Sequence, residues 1–311
     1  MNKQPVKDFN INENTNVKEL LRQMSVSGGF SSKKVADALQ IWKEMQKSDL
    51  RIISFPSCII STGTRGVIKE IAKRKIANCF ITTCGMLDHD IARTFSDYYH
   101  GSFSENDAAL RKKHINREGN VLAPDKSYWK VEEIMAKILQ ECYKEKKEWA
   151  PYELVWKVGQ YIEKNAKNKE ESLCYWLYKN NIPCFIPGPL DGAFGYQIWL
   201  FWQDGHKDFN LSVLQDDQKL SEIIYDGKKA GALILGGGIS KHHNIWWNQF
   251  RHGLDYAIQI TTAVEYDGSL SGARLREAVS WGKIKPNAKH ITIEGDVTVL
   301  LPLMFAGLIS E

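Results

Sequence analysis

The stretch AGALILGGG, residues 230–238, determines the fold class that we predict for this chain. Its apolar and small residues end in three glycines, as a buried strand does where it turns into a helix. Strands that alternate with helical segments form βαβ units and a parallel sheet. We therefore predict an α/β chain with a Rossmann-like, mostly parallel sheet flanked by helices. Similar apolar or β-branched runs begin at Ile53, Asn78, Ile182, Tyr256 and His290.

Helical patterns fill much of the chain between these runs. They cover residues 26–47, 64–76, 130–149 and 297–309. The first 30 residues are polar and lead into the first of these patterns, and no repeat or low-complexity linker divides the remaining chain. The sequence therefore predicts an N-terminal helical extension, residues 1–30, followed by one domain, residues 31–311.

The composition argues against several classes of protein. A chain of 311 residues with 43% hydrophobic content can bury a large core, and a net charge of +4 without basic and aromatic clusters does not favour nucleic acid as the main ligand. The longest apolar stretch, residues 297–309, contains Pro302 and is shorter than the roughly 20 residues that cross a bilayer. The start of the chain has no apolar signal core, so we expect no membrane segment.

The cysteines point to a reducing compartment. None of the six forms a CxxC pair or a zinc-ligand spacing, and a chain of this size needs no disulfides for stability. We therefore expect reduced thiols in a cytoplasmic protein and no metal site.

Small and polar residues follow several predicted strands, where ligands bind in parallel α/β sheets. Gly236, Gly237 and Gly238 would let a backbone approach phosphates, although the chain has no GxGxxG and a lone triplet is also a common tight turn. Asp296 could accept hydrogen bonds from ribose hydroxyls or could cap the helix that follows it. The other small-polar strand ends are residues 57–61, 82–85 and 261–263.

The segment EAVSWGKIK, residues 277–285, contains a candidate nucleophile, Lys283. A lysine amine attacks a carbonyl or imine only in its neutral form, which an apolar, enclosed site favours. Trp281 could supply the enclosure, and Glu277 would share a helix face with it and could bind an ammonium group. An exposed helix with a buried tryptophan has the same spacing, and most of the 41 lysines and arginines serve only to solvate the surface.

Residues 265–284, EYDGSLSGARLREAVSWGKI, resemble the active-site segment of deoxyhypusine synthase, in which the lysine of the SWGKI run carries a covalent imine. The chain is identified as a member of that family from near Gly28 to its end. The further motifs, in the same order, are SCIISTGTRG at Ser57, TTCGMLDHDIAR at Thr82, HINREGN at His114, PLDGAFG at Pro189 and LILGGGISKHH at Leu233.

The resemblance implies NAD as the cofactor. Asp191 and Asp267 each precede a glycine and could otherwise be ordinary turn residues. The implied cofactor contacts are Ser57, Cys58, Ile59, Ile60, Ser61, Thr83, Cys84, Gly85, Asp191, Thr262, Ala263, Asp267, Asp296 and Val297.

The resemblance also implies an amine site in which Lys283 is the nucleophile and His242 accepts a proton. A pair of surface histidines, His242 and His243, is the plainer interpretation of the SKHHN run. The implied substrate contacts are Asp88, His89, Gly237, His242, Gly268, Ser269, Leu270, Glu277 and Trp281.

The implied reaction is NAD-dependent transfer of the aminobutyl group of spermidine. Lys283 captures this group as an imine and releases diaminopropane, and one lysine of the hypusine-bearing translation factor precursor then takes it. Members of the family generally form homotetramers with active sites between paired subunits.

Four positions depart from the usual pattern of the family. Tyr196 and Leu270 stand where amine-binding aspartates are usual, His89 where a glutamate is usual, and Cys58 where an asparagine is usual. The loss of carboxylates weakens a site for a polycation, since each charged hydrogen bond contributes about 1.5–3 kcal/mol.

These departures concern the identity of the amine more than the covalent chemistry. Asp88, Asp90 or a carboxylate from a neighbouring subunit could compensate for the losses.

Two alternatives follow. One is a homospermidine-type or agmatine-using transferase with a small-molecule acceptor such as putrescine. The other is a non-catalytic NAD-binding scaffold, against which the presence of Lys283, Glu277, Trp281 and His242 argues.

Overall fold

The computed structural model describes residues 3–310, which form two compact units. The first unit comprises Met1–Phe55 and Glu222–Glu311, and the second comprises Pro56–Ser221. The predicted division into an extension, residues 1–30, and a domain, residues 31–311, does not follow the boundaries of these units and stays a prediction.

Helices and short strands alternate along the chain. The helices are α1 Val17–Val26, α2 Phe30–Met45, α3 Thr64–Lys73, α4 Gly85–Phe95, α5 Asp107–Lys112, α6 Asp125–Glu145, α7 Pro151–Asn165, α8 Leu173–Lys179, α9 Ala193–Gln203, α10 Val213–Asp226, α11 Gly238–Gln249, α12 Glu277–Ser280 and α13 Val297–Ile309. The strands are β1 Leu50–Ser54, β2 Cys79–Ile81, β3 Tyr99–His100, β4 Ile115–Glu118, β5 Val121–Pro124, β6 Glu148–Trp149, β7 Cys184–Phe185, β8 Asn210–Leu211, β9 Ala230–Leu235, β10 Leu254–Thr261 and β11 Ile284–Glu294.

Parallel strands form the centre of the first unit. They lie in the order β11, β10, β9, β1, and Ile53 of β1 pairs with Leu233 of β9. All six residues of β9 are buried, as expected for a parallel strand covered by helices on both faces. The α/β fold with a mostly parallel, helix-flanked sheet is thereby confirmed.

The N-terminal helices belong to the first unit. Gly28 and Gly29 have φ angles of 65° and 72°, a left-handed conformation that separates α1 from α2. Helix α1 packs closely on α13, because a Cβ added at Gly307 would meet Leu21 Cδ1 at 2.3 Å. Helix α1, within the predicted extension, is thus packed against the last helix.

The second unit contains three smaller groups of strands. Strands β2 and β7 pair in parallel, β3, β5 and β4 form an antiparallel sheet, and β6 pairs with β8. Helices α3 to α9 belong to the same unit. None of the six cysteines forms a disulfide. Within residues 3–310, no helix is both long and apolar enough to span a bilayer, and no three potential metal-binding side chains are grouped together.

Helices α7 and α8 approach each other at Gly159. A Cβ added there would meet Cys174 O at 2.3 Å and Tyr178 Cβ at 2.5 Å, whereas a Cβ added at Gly66 in α3 would meet nothing within 4 Å. We expect Gly159→Ala to lower the free energy of unfolding by about 1–3 kcal/mol through overpacking. Gly66→Ala should raise it by about 0.5–1 kcal/mol through helix propensity. Urea denaturation measures the free energy of unfolding of both variants. Equal changes in this free energy would contradict the role of Gly159 in packing.

Candidate active site

Lys283 lies at a sharp turn of the first unit. Helix α12 ends at Ser280, Trp281 follows as its C-cap, and Gly282 turns the chain with a φ of 68°. The Lys283 backbone N–H donates to Ala278 O at 3.0 Å, and its carbonyl accepts from Leu254 N at 3.1 Å. These hydrogen bonds fix the backbone at this position. The residue as a whole is only 9% exposed. The predicted candidate nucleophile is therefore a nearly buried lysine.

Two indole rings flank the Lys283 amine. Its Nζ lies 5.3 Å from the ring centroid of Trp281 and 5.9 Å from that of Trp246, distances at which a cation and a ring attract each other. Trp281 was predicted from the sequence, but Trp246 was not. The available signal was its position on α11, one helical turn after His242.

His242 lies beside these rings. Its imidazole stacks on Trp246, with the centroids 5.9 Å apart and the planes 17° apart. Burial lowers the pKa of His242, and the charge of Lys283 lowers it further. Burial and His242 lower the pKa of His243 to about 4. Both histidines are therefore neutral at neutral pH, and His242 is in the form that accepts a proton.

Lys241 is the most buried cation of this region, at 2% exposed. Its Nζ donates to Leu270 O at 2.7 Å and also to Ala273 O. Burial lowers the pKa of Lys241 to about 8; the charge of Glu277 opposes this shift, and Arg274 and Lys283 add to it. Lys241 thus holds the loop of residues 268–273 beside Glu277 and Lys283, a role that the sequence did not reveal.

This loop carries the predicted substrate contacts Gly268, Ser269 and Leu270. Gln259 Nε2 and Thr261 Oγ1 each donate to Ser271 O at 3.0 Å. The loop lies so close to the glycine triplet that a Cβ at Gly237 would meet Ser271 Cα at 2.3 Å. Leu270 is exposed and presents no carboxylate to an amine.

The glycine triplet is suited to a ligand that carries phosphates. Gly236 and Gly238 have φ angles of 68° and 67°, so the triplet is indeed a tight turn. No side chain caps the start of α11 at Gly237, and the space in front of Gly238 is open. The first N–H groups of α11 are thus accessible to an anion. The residues present fit the predicted cofactor.

The two aspartates predicted to contact the cofactor in this unit also have local roles. Asp296 Oδ1 accepts from Thr298 N at 2.7 Å and caps α13. Asp267 Oδ1 accepts from Ser269 N at 2.7 Å. The alternative of a capping aspartate is therefore realised at Asp296, and it does not rule out a contact with ribose. Thr262, Ala263 and Val297 follow the same strand ends, β10 and β11.

In the second unit, residues 57–61 and 83–85, both predicted to contact the cofactor, lie next to each other. Ser57 N donates to Thr83 Oγ1 at 2.9 Å, and a Cβ at Gly85 would meet Ser57 Oγ at 2.9 Å. Ile59, Ile60 and Ser61 are buried in a short 3-10 turn, and Cys58 is exposed.

Cys84 is a packing residue. Its thiol is fully buried and lies 3.1 Å from Pro189 O, and burial raises its pKa to about 12. A thiol with such a pKa stays protonated at neutral pH, so any contact of Cys84 with a cofactor would involve a neutral group.

Asp88 caps helix α9. Its two carboxylate oxygens accept from Ala193 N at 2.8 Å and Phe194 N at 2.7 Å, and burial raises its pKa to about 6. A Cβ at Gly192 would meet Asp88 Oδ2 and Cys84 Sγ, each at 2.8 Å. Asp88 therefore holds the loop that carries Asp191, which is itself exposed.

His89 belongs to a network of polar side chains. Its Nδ1 lies 3.1 Å from Tyr98 OH, and its Nε2 lies 3.4 Å from Glu118 Oε2. Burial lowers the pKa of His89, and the charge of Glu118 opposes this effect. Nδ1 thus has a hydrogen-bond partner, and Nε2 lies within ion-pair distance of a carboxylate. The usual glutamate of the family is thus replaced here by a histidine that faces a glutamate on β4.

Asp90 is fully buried and has only a structural role. Arg65 Nε lies 2.7 Å from Asp90 Oδ1, and Ser172 Oγ and Cys174 N donate to its Oδ2 at 2.7 Å and 2.8 Å. The suggestion that Asp90 supplies a replacement carboxylate to the amine is wrong, because its oxygens are enclosed in this network. Tyr196, by contrast, is exposed and stacks on Trp199.

Comparison with known proteins agrees with the motifs. The family model described as deoxyhypusine synthase matches residues 19–308. A protein named "Probable deoxyhypusine synthase" from Picrophilus torridus is 54% identical over 98% of this chain and 96% of its own length. One of the same name from Thermoplasma acidophilum is 51% identical over 97% of this chain and 96% of its own length.

A solved structure shares the fold. It is that of a candidate deoxyhypusine synthase from Entamoeba histolytica, with a TM-score of 0.66, 18% identity, and coverage of 97% of this chain and 96% of that one. The matches in sequence span nearly the whole chain and include the segment around Lys283. The chain belongs to the deoxyhypusine synthase family of enzymes.

Proposed function

We propose that this chain transfers the aminobutyl group of spermidine, through an imine on Lys283, to one lysine of the hypusine-bearing translation factor precursor, with NAD as the cofactor. The observation that carries the proposal is the position of Lys283, which is 9% exposed, between two indoles and coupled by charge to His242. An amine held in one place beside aromatic side chains suits covalent catalysis, because the nucleophile is fixed and shielded from water.

The residues that we propose as contacts of NAD are at strand ends and helix starts, and each unit contains some of them. In the first unit its contacts are Thr262, Ala263, Asp267, Asp296 and Val297, beside the uncapped start of α11. In the second unit they are Ser57, Cys58, Ile59, Ile60, Ser61, Thr83, Cys84, Gly85 and Asp191. The side chains of Ile59 and Ile60 are buried, so these two would contribute through their backbone. Bound NAD would supply hydride transfer, first from the amine and finally to the modified lysine.

Lys283 carries out the covalent steps. Its Nζ forms a bond to the oxidised carbon of the aminobutyl group, and the bond from that carbon to the internal nitrogen of spermidine breaks. The proton that Lys283 loses ends on the departing 1,3-diaminopropane, and we propose that neutral His242, which stacks on Trp246 beside Lys283, carries it. The acceptor lysine then attacks the same carbon, and Lys283 leaves as a free amine.

Glu277 and Trp281 hold the amine. A carboxylate pairs with an ammonium group, and an indole covers the methylene chain. The loop that Lys241 clamps contains Gly268, Ser269 and Leu270. Gly237 packs against Ser271 of the same loop. In the second unit, Asp88 and His89 would act on the amine through the structures they hold, because both have internal partners.

Assembly into homotetramers is part of the proposal. Tyr196, Trp199, Trp246 and Trp281 are large aromatic side chains exposed on the described chain, and aromatic residues are enriched at subunit interfaces. The free cysteines suit a cytoplasmic location, where thiols stay reduced.

The experiment that tests the proposal is an intact-mass measurement. The protein is incubated with NAD and, separately, with spermidine, putrescine or agmatine, and is then reduced with borohydride and mapped by peptide analysis. We expect an aminobutyl adduct on Lys283 with spermidine. When the translation factor precursor is added before reduction, the group should move to one of its lysines.

The departures at Tyr196 and Leu270 favour one alternative, a transferase with another donor or a small-molecule acceptor. An adduct that forms only with putrescine or agmatine would support it and would contradict the choice of spermidine. The absence of an adduct with all three amines would support a non-catalytic NAD-binding scaffold.

A further inference from the structure

Trp246 faces the reacting nitrogen from an element different from that of Trp281. Trp281 closes α12, whereas Trp246 lies within α11, and Lys283 Nζ is within 6 Å of both ring centroids, at 5.3 Å and 5.9 Å. The two rings are 61% and 41% exposed, while Lys283 is 9% exposed. The rings therefore shield the amine and still leave surface that a substrate can cover.

Neighbours on the same helix face hold the Trp246 ring. His242 stacks on it one turn earlier, and Phe250 meets it edge-on one turn later, with centroids 5.5 Å apart and planes at 88°. Residues four apart on a helix share a face, so the three rings form a column along α11. The orientation of Trp246 toward Lys283 is thus set by packing before any ligand binds.

The covalent step that rests on the proposed function places a positive charge between these rings. When Lys283 Nζ forms the double bond to the aminobutyl carbon, it keeps one hydrogen, and the protonated imine carries the charge on that same nitrogen. A cation over an indole face is stabilised electrostatically, the more so when water is excluded. The nitrogen that would carry this charge is thus the Nζ that lies near both rings.

We propose that Trp246 is a further catalytic residue, whose indole face, together with that of Trp281, stabilises the protonated imine on Lys283. A carboxylate at position 270 would bind the far ammonium of an amine, but Leu270 carries none. In this chain the π faces of Trp246 and Trp281 provide part of the stabilisation of the cationic substrate group.

The test compares the imine with the amine bound without covalent attachment. Trp246→Leu keeps an apolar side chain but removes the π face, and Trp246→Phe keeps a weaker one. With NAD present, we expect the spermidine concentration for half-maximal borohydride-trapped adduct to rise about 5- to 30-fold in Trp246→Leu. Trp246→Phe should show a smaller rise in the same direction, and it carries the comparison if the leucine variant does not fold.

Two controls separate imine stabilisation from other roles. In a Lys283→Ala background no imine forms, so Trp246→Leu should change the Kd for spermidine, measured by calorimetry, less than twofold. Trp247→Leu replaces the neighbouring tryptophan, which contacts His243 and Phe250, and should leave the trapping curve unchanged.

The proposal would be overturned if Trp246→Leu raised the Kd for spermidine in the Lys283→Ala background by the same factor as it shifts the trapping curve. Trp246 would then only bind the amine. An unchanged trapping curve in Trp246→Leu would overturn the proposal too. If the unaltered protein forms no adduct with any of the three amines, the proposed function itself fails, and the inference fails with it.

Discussion

Lys283→Ala is expected to abolish aminobutyl transfer, with a fall in rate of at least about a thousand-fold, because the proposed covalent intermediate forms on this amine. Lys283 is nearly buried between two indoles, and its backbone is fixed by hydrogen bonds to Ala278 and Leu254. NAD binding should persist, since the uncapped start of α11 and the strand ends do not depend on this side chain.

The measurement pairs a transfer assay with trapping by borohydride. Lys283→Arg serves as the sharpest variant, because it keeps a cation between the indoles but forms no imine under these conditions. Lys285→Arg is the matched control; Lys285 lies two residues away, and its Nζ pairs with Asp255 Oδ1 at 2.6 Å. That variant should transfer nearly normally. Substantial transfer by Lys283→Arg would disprove the role of Lys283 as nucleophile.

The fold could be predicted from the sequence where apolar runs are continuous. The runs beginning at Ile53, Asn78, Ile182, Ala230, Tyr256 and His290 contain or overlap the strands that pair in parallel. The ends of helices were predicted less accurately than the strands. The predicted helix of residues 26–47 begins at Phe30, because the φ angles of Gly28 and Gly29 break the pattern.

A second helix boundary shows how tertiary contacts override a local pattern. The predicted helix of residues 130–149 begins earlier, at Asp125, and ends at Glu145. Trp149 instead lies in strand β6, where its indole nitrogen donates to the carbonyls of Cys142 and Lys146. Spacing alone did not distinguish this folded-back strand from one more helical turn.

The candidate site could be predicted where a motif is local. Glu277, Trp281 and Lys283 are close in sequence, and the structure keeps them together at one turn. Contacts between residues far apart in the sequence could not be predicted from it. Asp88 caps α9 by accepting hydrogen bonds from Ala193 and Phe194, more than a hundred positions later.

Long sequence separation also explains why the roles of Lys241 and Trp246 were not predicted. Lys241 donates to carbonyls of a loop that begins 27 positions later, at Gly268, and Trp246 of α11 faces Lys283, which lies at the turn before β11. The four-residue spacing from His242 marks Trp246 only as a neighbour on one helix face, and the local sequence shows neither contact. The Lys241 contact forms with the loop after β10, and the Trp246 contact forms with the turn before β11.

Asp90 is the position where a single substitution should most reduce stability. The carboxylate is fully buried, pairs with Arg65, and accepts hydrogen bonds from Ser172, Leu173 and Cys174. Asp90→Asn keeps the shape but leaves Arg65 as a buried charge without its counter-ion. Removal of one partner from a buried ion pair costs about 3–5 kcal/mol, so we expect a loss of that size in the free energy of unfolding.

The pH dependence of this loss follows from the pKa of Asp90. Burial alone would raise it, but Arg65 and the hydrogen bonds from Ser172, Cys174 and Leu173 outweigh burial and lower it. A carboxyl whose folded pKa is depressed contributes stability above its unfolded pKa, about 3.9, and loses it as the pH falls through the folded value. The difference between Asp90→Asn and the unaltered protein should therefore be largest near neutral pH and shrink below about pH 4.

Guanidinium denaturation at pH 7 and at progressively lower pH measures both effects. Asp107→Asn is the matched control, because Asp107 pairs with Arg117 at the same 2.7 Å but is mostly exposed. Water solvates that pair in the folded and unfolded chain alike, so the control should change stability far less. Equal losses in the two variants would mean that burial of the Asp90 and Arg65 pair does not matter. A loss in Asp90→Asn that persists undiminished at acid pH would show that shape, and not charge, holds α4 against α8.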